Sequence, residues 1–147
     1  FFVLGTQNPL DIAGTYPLPQ VQLDRFLLKI PMSYVDPATE MRILEEHSQI
    51  VDTAERLEPV CSRTDVLRAR QLVEKVHVST NVRQAMVSIV QATRGNPLIQ
   101  FGASTRATLM LQSAVRSWAL INGREFASED DLKTVAPFVL MHRLKFH

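Results

Sequence analysis

The sequence predicts an α+β chain that is mostly α-helical. Two short apolar runs near its beginning have the length and the flanking turn residues of strands. From residue 36 onward, apolar residues instead recur at helical spacing. With 147 residues, 46% of them hydrophobic and 21% charged, the chain has the size and composition of about one globular domain with its own core.

The first part of the chain combines strand-like and loop-like segments. Residues 1–7 are apolar and predict a short buried strand. Because this run opens without a starting Met, we expect the chain to be a fragment cut at the edge of that strand. Residues 8–19 contain three prolines and a glycine and predict a loop. Residues 20–26 predict about two turns of helix, and residues 27–32 predict a second strand.

The remainder predicts helices with recognisable ends. Asp36 is expected to cap a helix that has Pro37 in its first turn and ends before residue 54. Further helices are predicted at 64–76, 80–94 and 104–122. Ser128 and Asp131 have capping-box spacing at the start of a last helix, which Pro137 is expected to break or restart. The predicted organisation is an α/β tail over 1–53, a linker over 54–63 and a helical bundle over 64–147.

Charge and hydropathy exclude several classes of function. Sixteen basic and fifteen acidic residues give a net charge of +1 without a basic block, so no nucleic-acid partner is expected. No apolar stretch approaches the ~20 residues of a membrane span, and no signal peptide is visible, so we expect a cytoplasmic protein. The four histidines and Cys61 lack metal-ligand spacing, and we interpret them as structural or solvated.

Three motifs near the start of the chain carry a family resemblance. They are TQNP at 6–9, GTYPLP at 14–19 and QLDRF at 22–26. In this order and spacing they resemble the MoxR family of AAA+ ATPases. FGASTRA at 101–107 is similar to the GASPRA motif of that family, with Thr105 in the place of its proline. NGREF at 122–126 and APFVLMHR at 136–143 resemble the segments that follow it, so the resemblance covers nearly the whole chain.

The resemblance implies the last strands of an AAA+ α/β core followed by a helical lid bundle. It also implies roles for three residues. Asn8 would be the first sensor of the nucleotide. Arg25 would be the arginine finger that enters the neighbouring subunit's site. Arg106 would be the second sensor, near the start of a lid helix, reaching the γ-phosphate of its own subunit's nucleotide. A guanidinium suits these last two tasks because it is always charged and binds oxyanions through paired hydrogen bonds.

Each of these residues also has a simpler interpretation. Asn8 precedes a proline and could be a turn residue, Arg25 could be a surface arginine next to Asp24, and Arg106 could be a solvated helix arginine. The helical part as a whole could be a non-catalytic protein-binding or regulatory module. A helix-turn-helix DNA-binding domain is a third reading, and the near-neutral charge counts against it.

For the parent protein, the resemblance implies hydrolysis of ATP with Mg²⁺ by a ring, expected to be a hexamer. It implies chaperone-like assembly or activation of client proteins. These often carry metal cofactors and often act beside proteins with a von Willebrand factor A-like domain. The 147 residues contain no G-x-x-x-x-G-K-[ST] loop for the phosphates and no acidic pair after an apolar strand for Mg²⁺. The chain alone is therefore predicted not to hydrolyse ATP.

Overall fold

The computed structural model describes residues 2–7 and 18–147, and this part of the chain is mostly helical. Its elements in chain order are α1 (Gln20–Leu23), α2 (Pro37–Glu55), α3 (Arg63–Lys75), β1 (His77–Val78), α4 (Thr80–Arg94), β2 (Ile99–Phe101), α5 (Thr105–Ile121), β3 (Phe126–Ala127), α6 (Glu129–Leu140) and β4 (Lys145–Phe146). No helix in these ranges is both long enough and apolar enough to cross a membrane.

Within the described residues, the two strands predicted at 1–7 and 27–32 are not formed, so that prediction was wrong. Residues 2–7 and 27–32 have no regular structure, and Phe2 and Leu4 are 84% and 86% exposed. A strand is stabilised by backbone hydrogen bonds to a neighbour. Neither segment has a paired neighbour strand among the described residues. The loop predicted at 8–19 falls almost entirely outside the described residues.

Helices α1 and α2 belong to the first part of the chain. Helix α1 is shorter than the predicted helix at 20–26, and a turn continues from its end. The start of α2 is as predicted: an oxygen of Asp36 accepts the amides of Ala38 and Thr39 at 3.0 and 3.1 Å, with Pro37 as the first helical residue. Helix α2 extends to Glu55, and none of its residues is buried within the described structure.

The core lies between α4, α5 and α6, as the periodicity of these segments predicts. Along α4, Val82, Met86 and Val90 are buried at helical spacing. They meet buried residues of α5 and α6: Ala107, Leu111, Ala114, Val115, Ala119, Leu132, Val135, Ala136, Val139 and Leu140. The apolar stripe of the helix predicted at 104–122 includes Trp118 and predicts a place in the core for it, which is wrong: Trp118 is 40% exposed, although Val115, three residues earlier, is buried.

Four very short strands, absent from the sequence prediction, connect the helices. Strand β1 pairs in parallel with β3, and β2 pairs antiparallel with β4. Each has only two or three residues, which is too short to show an alternating pattern in the sequence. Pairing of β1 with β3 sets the starts of α4 and α6 side by side, because each helix follows its strand after one or two residues.

Helix α6 begins with the predicted capping box. Asp131 accepts the amide and hydroxyl of Ser128, both at 2.8 Å, and the Ser128 hydroxyl accepts the amide of Asp131. The buried Asp131 carboxylate also binds two nitrogens of Arg124, one of them at 2.6 Å. Chiefly because of Arg124, the pKa of Asp131 falls from 3.8 to about 2.

The prediction that Pro137 would break or restart this last helix was wrong, since α6 continues through it to Leu140. A proline removes one helical hydrogen bond and crowds the preceding turn, at a cost of ~3 kcal/mol. Burial of Ala136, Val139 and Leu140 on both sides of the proline holds the helix together despite this cost.

Candidate functional site

The start of α5 is held in place by the end of α4. The hydroxyl of Thr93 accepts the amide of Ala103 at 3.0 Å and donates to the carbonyl of Val90 at 2.7 Å. The Arg94 Nε donates to the carbonyl of Ala103 at 2.9 Å. These bonds fix the residues just before α5, so the position of Arg106, the second residue of the helix, is set by buried contacts.

Gly102 allows this approach of the two helices. A Cβ atom at this position would lie 2.7 Å from the carbonyl oxygen of Thr93 and 2.9 Å from two backbone atoms of Arg94. These neighbours are backbone atoms, so they cannot rotate out of the way as a side chain could. The glycine of the FGASTRA segment is therefore required by close packing of two backbones.

Asp24 joins the turn after α1 to the helical bundle. Its Oδ2 accepts the hydroxyl of Ser104 at 3.0 Å and lies 3.9 Å from Nη1 of Arg106. Its Oδ1 accepts Nε of Arg143 at 3.0 Å. One carboxylate thus contacts the residue before α5, the start of α5 and the segment after α6. The contact also places Arg106 beside the residue that precedes Arg25 in sequence.

A buried His-Arg pair after α6 completes the junction. The side chain of Arg143 is 1% exposed and donates to backbone carbonyls on both sides of Arg25, among them that of Asp24 at 3.0 Å. Nε2 of His142 lies 3.0 Å from the carbonyl of Phe26. Burial lowers the pKa of His142 below its ordinary 6.5, and Arg143 adds to this effect, so the imidazole is neutral at pH 7.

The junction carries more positive than negative charge. Asp24 is paired closely with the buried Arg143 and only at 3.9 Å with Arg106, whose side chain is 50% exposed. An exposed ion pair of this kind contributes little stability, so Arg106 can exchange the carboxylate for another anion. Arg25 is exposed as well. Two exposed arginines, whose guanidinium groups are of the kind that bind phosphate oxygens, thus lie at this junction or next to it in sequence.

The structure describes two of the three predicted site residues. Asn8 lies outside the described residues. Arg25 lies in the turn after α1, and Arg106 lies in the first turn of α5. Ser104 occupies the capping position of α5, but its hydroxyl donates to Asp24 and makes no capping hydrogen bond.

Sequence reasoning missed the contact between Asp24 and Arg143. Both residues lie in motifs that carry the resemblance, QLDRF and APFVLMHR, which was the available signal. The two residues are 119 positions apart, and opposite charge alone does not select one partner among many.

The described residues suit a nucleotide phosphate better than a magnesium ion. Arg25 and Arg106 supply exposed cationic groups of the kind that bind phosphoryl oxygens. Over 2–7 and 18–147, no group of three or more His, Cys, Asp or Glu is arranged to hold a metal ion.

Comparison with known proteins finds two families on this chain. The AAA lid domain family matches residues 91–147, and the ATPase family associated with various cellular activities (AAA) matches residues 1–28. The chain is 40% identical to the YeaC protein of Bacillus subtilis over 100% of its own length and 46% of that protein. It is 36% identical to the chaperone MoxR1 of Mycobacterium tuberculosis over 98% of its length and 40% of that protein.

A solved structure matches the fold. The crystal structure of a candidate ATPase from Cytophaga hutchinsonii superposes with a TM-score of 0.86 at 33% identity, over 96% of this chain and 45% of that one. The chain thus spans less than half the length of these relatives. Taken together, the two families, the MoxR1 relative and the structural match show that the chain belongs to the MoxR-type AAA+ ATPases and contains their AAA lid.

Proposed function

We propose that the full-length protein hydrolyses ATP, and that Arg25 and Arg106 act together on one nucleotide. The observation that carries this proposal is the contact of Asp24 with Arg106 and Ser104. It brings the start of α5 to the turn that bears Arg25. Phosphoryl transfer depends mainly on positioning and on positive charge at the transferring group, and this surface supplies that charge.

In this proposal, Arg25 is the arginine finger and contacts the γ-phosphate bound by a neighbouring subunit. Arg106 was expected to reach its own subunit's nucleotide. Its position beside Asp24 supports a different assignment, in which both arginines face the neighbour's nucleotide. Asn8 remains proposed as the first sensor, where a neutral amide would hydrogen-bond the γ-phosphate or the attacking water. That role is supported by the TQNP motif alone.

An arginine that acts across a subunit boundary requires an assembly in which one surface meets a different one. Heterologous interfaces of this kind close into rings. We therefore propose a ring, expected to be a hexamer, that works in the cytoplasm, where ATP is supplied. Residues 1–53 would be the end of its ATPase core and residues 64–147 its lid, joined by a linker at 54–63. The phosphate-binding loop and the Mg²⁺ ligands are assigned to other parts of the protein, and the chain alone is predicted to be inactive.

The proposed task is chaperone-like assembly or activation of client proteins. Its support is the likeness to a protein named as a chaperone, together with the MoxR motifs. Clients that carry metal cofactors, or that act with proteins containing a von Willebrand factor A-like domain, are proposed on the resemblance alone.

The test is steady-state ATP turnover by the full-length protein and its Arg25→Ala and Arg106→Ala variants, with the oligomeric state measured for each. Loss of an arginine finger lowers the rate ~10³–10⁵-fold in related phosphoryl-transfer systems. We expect a loss of this order for Arg25→Ala and a smaller loss for Arg106→Ala, with both rings intact.

Arg83→Ala is the matched control, since Arg83 is an exposed arginine on α4 away from Asp24, and its turnover should equal the wild type. Rings assembled from wild-type and variant subunits show whether Arg106 acts on the nucleotide of its own subunit or on that of its neighbour. An Arg106→Ala subunit should slow hydrolysis at the site of its neighbour and spare its own nucleotide site. Unchanged turnover in both arginine variants would instead support the non-catalytic binding module.

A further inference from the structure

Arg143 is a buried cation that the proposed chemistry does not use. It is 2% exposed and follows the end of α6. Taking a guanidinium out of water is costly unless its donors are satisfied. Burial accordingly lowers the pKa of Arg143, and the carboxylate of Asp24 opposes that shift. A buried guanidinium is therefore retained only where the groups that it binds offset this cost.

Three of the four backbone carbonyls that the side chain of Arg143 contacts lie on either side of Arg25, and the fourth is that of Val139. Its guanidinium donates to the carbonyl of Asp24 at 3.0 Å, to the carbonyl of Phe26, and to the carbonyl of Leu27 at 3.3 Å. It also donates to the side chain of Asp24 at 3.0 Å. The backbone is therefore held immediately before and immediately after Arg25, while the Arg25 side chain is exposed.

The same segment is fixed to the end of α6 at two further points. The side-chain amide of Gln20 donates to the carbonyl of His142 at 2.8 Å, and the amide of Lys29 donates to the carbonyl of Phe138 at 2.9 Å. Helix α1 has only four residues and is far too short to be stable by itself. The conformation of this turn therefore depends on the lid.

We propose that Arg143 is a positioning residue for Arg25. It holds the turn that bears the arginine finger against the lid, so that a movement of the lid moves Arg25. This inference rests on the proposed function of Arg25. Because Arg143 is buried behind the turn, it does not contact the nucleotide and acts only through Arg25. A reacting group misplaced by about 1 Å costs on the order of 10²-fold in rate.

The experiment compares Arg143→Gln and Arg143→Lys with wild type in the full-length protein. We measure kcat, KM for ATP, equilibrium binding of ATP and ring size. Arg143→Gln should lower kcat on the order of 10²-fold, with ATP binding and ring size unchanged. Arg143→Lys keeps the charge facing Asp24 but loses the planar fork of donors. Its kcat should therefore lie between the kcat of wild type and that of Arg143→Gln.

The double variant Arg25→Ala/Arg143→Gln separates positioning from a general structural effect. If Arg143 acts through Arg25, the double variant turns over ATP no more slowly than Arg25→Ala alone. Multiplying losses would overturn the proposal, as would a folded Arg143→Gln variant with wild-type kcat. Unchanged turnover in Arg25→Ala alone would instead remove the proposed function, which is a distinct result.

Truncation of a buried arginine can prevent folding, so a second variant tests the same contact. Asp24→Asn keeps the shape of a side chain that is 20% exposed and removes its charge. Because Asp24 also contacts Arg106, this variant is measured in an Arg106→Ala background, where it should lower kcat by less than Arg143→Gln does. That loss should disappear when Arg25→Ala is added. If Arg143→Gln does not fold, the same two criteria applied to Asp24→Asn decide the proposal.

Discussion

At the scale of single residues, the pairing of Asp131 with Arg124 is the clearest electrostatic contribution to the lid. The pKa of Asp131 is lowered to about 2, so its stabilisation is fully present above pH 3.8 and is lost as the pH falls through 2. The shift corresponds to roughly 2 kcal/mol at neutral pH. Asp131→Asn should lose this amount at pH 7, as measured by urea unfolding.

Asp130→Asn is the control for that measurement. Asp130 is the neighbouring carboxylate, its side chain is 88% exposed, and it binds Lys133 at 3.1 Å. Exposed pairs contribute little, so this variant should unfold within about 0.5 kcal/mol of wild type. Equal losses in the two variants would mean that burial of Asp131 and its bonds to Ser128 and Arg124 do not matter.

Gly102 gives a second prediction at the residue scale. Gly102→Ala would place a Cβ 2.7 Å from the Thr93 carbonyl, so the start of α5 must move or α4 must yield. We expect destabilisation of roughly 1–3 kcal/mol, the usual range for overpacking, measured by thermal or urea unfolding. Gly95→Ala is the matched control, because nothing lies within 4 Å of that position. Equal stability of the two variants would contradict the close packing of the two backbones.

At the scale of elements, the sequence predicts best where a helix buries one complete face. Helix α4 spans the predicted residues, and the capping box of α6 and the Asp36 cap are local patterns that depend on a few neighbouring positions. The predictions that failed depend on distant partners. The strands at 1–7 and 27–32 have none within the described residues, and the persistence of α6 through Pro137 depends on packing that periodicity does not report.

In the candidate site, too, the sequence predicts local motifs but not contacts between distant residues. The motifs identify Arg25 and Arg106, because each arginine lies within a short motif that carries the family resemblance. They do not show that Asp24 lies between Arg106 and Arg143, since this contact joins residues brought together only by the tertiary fold. It is on this contact that we base the proposal that Arg106 acts on the neighbouring subunit's nucleotide.

At the scale of the whole molecule, the junction between the turn at 24–27 and the lid should weaken in acid. Burial, Arg143 and Lys29 lower the pKa of His142, against opposing effects of the Phe26 carbonyl and Asp24. A lowered pKa in the folded state means that the junction is fully stabilised above pH 6.5. That contribution is lost as the pH falls below 6.5 through the lowered value. Protonation would place a second cation beside Arg143, whose Nη1 lies 2.8 Å from Nε2 of His142.

Hydrogen exchange at the Lys29 amide reports this change, because that amide donates to the Phe138 carbonyl across the junction. After correction for the intrinsic effect of pH on exchange, its protection should fall between pH 7.5 and 5.5 in the full-length protein. His142→Gln should abolish the pH dependence. Amides within α4 should stay protected throughout, because their bonds do not cross the junction. Constant protection at Lys29 would show that His142 does not titrate in this range. If protection falls together with kcat, the junction that carries Arg25 and the lid open as one unit.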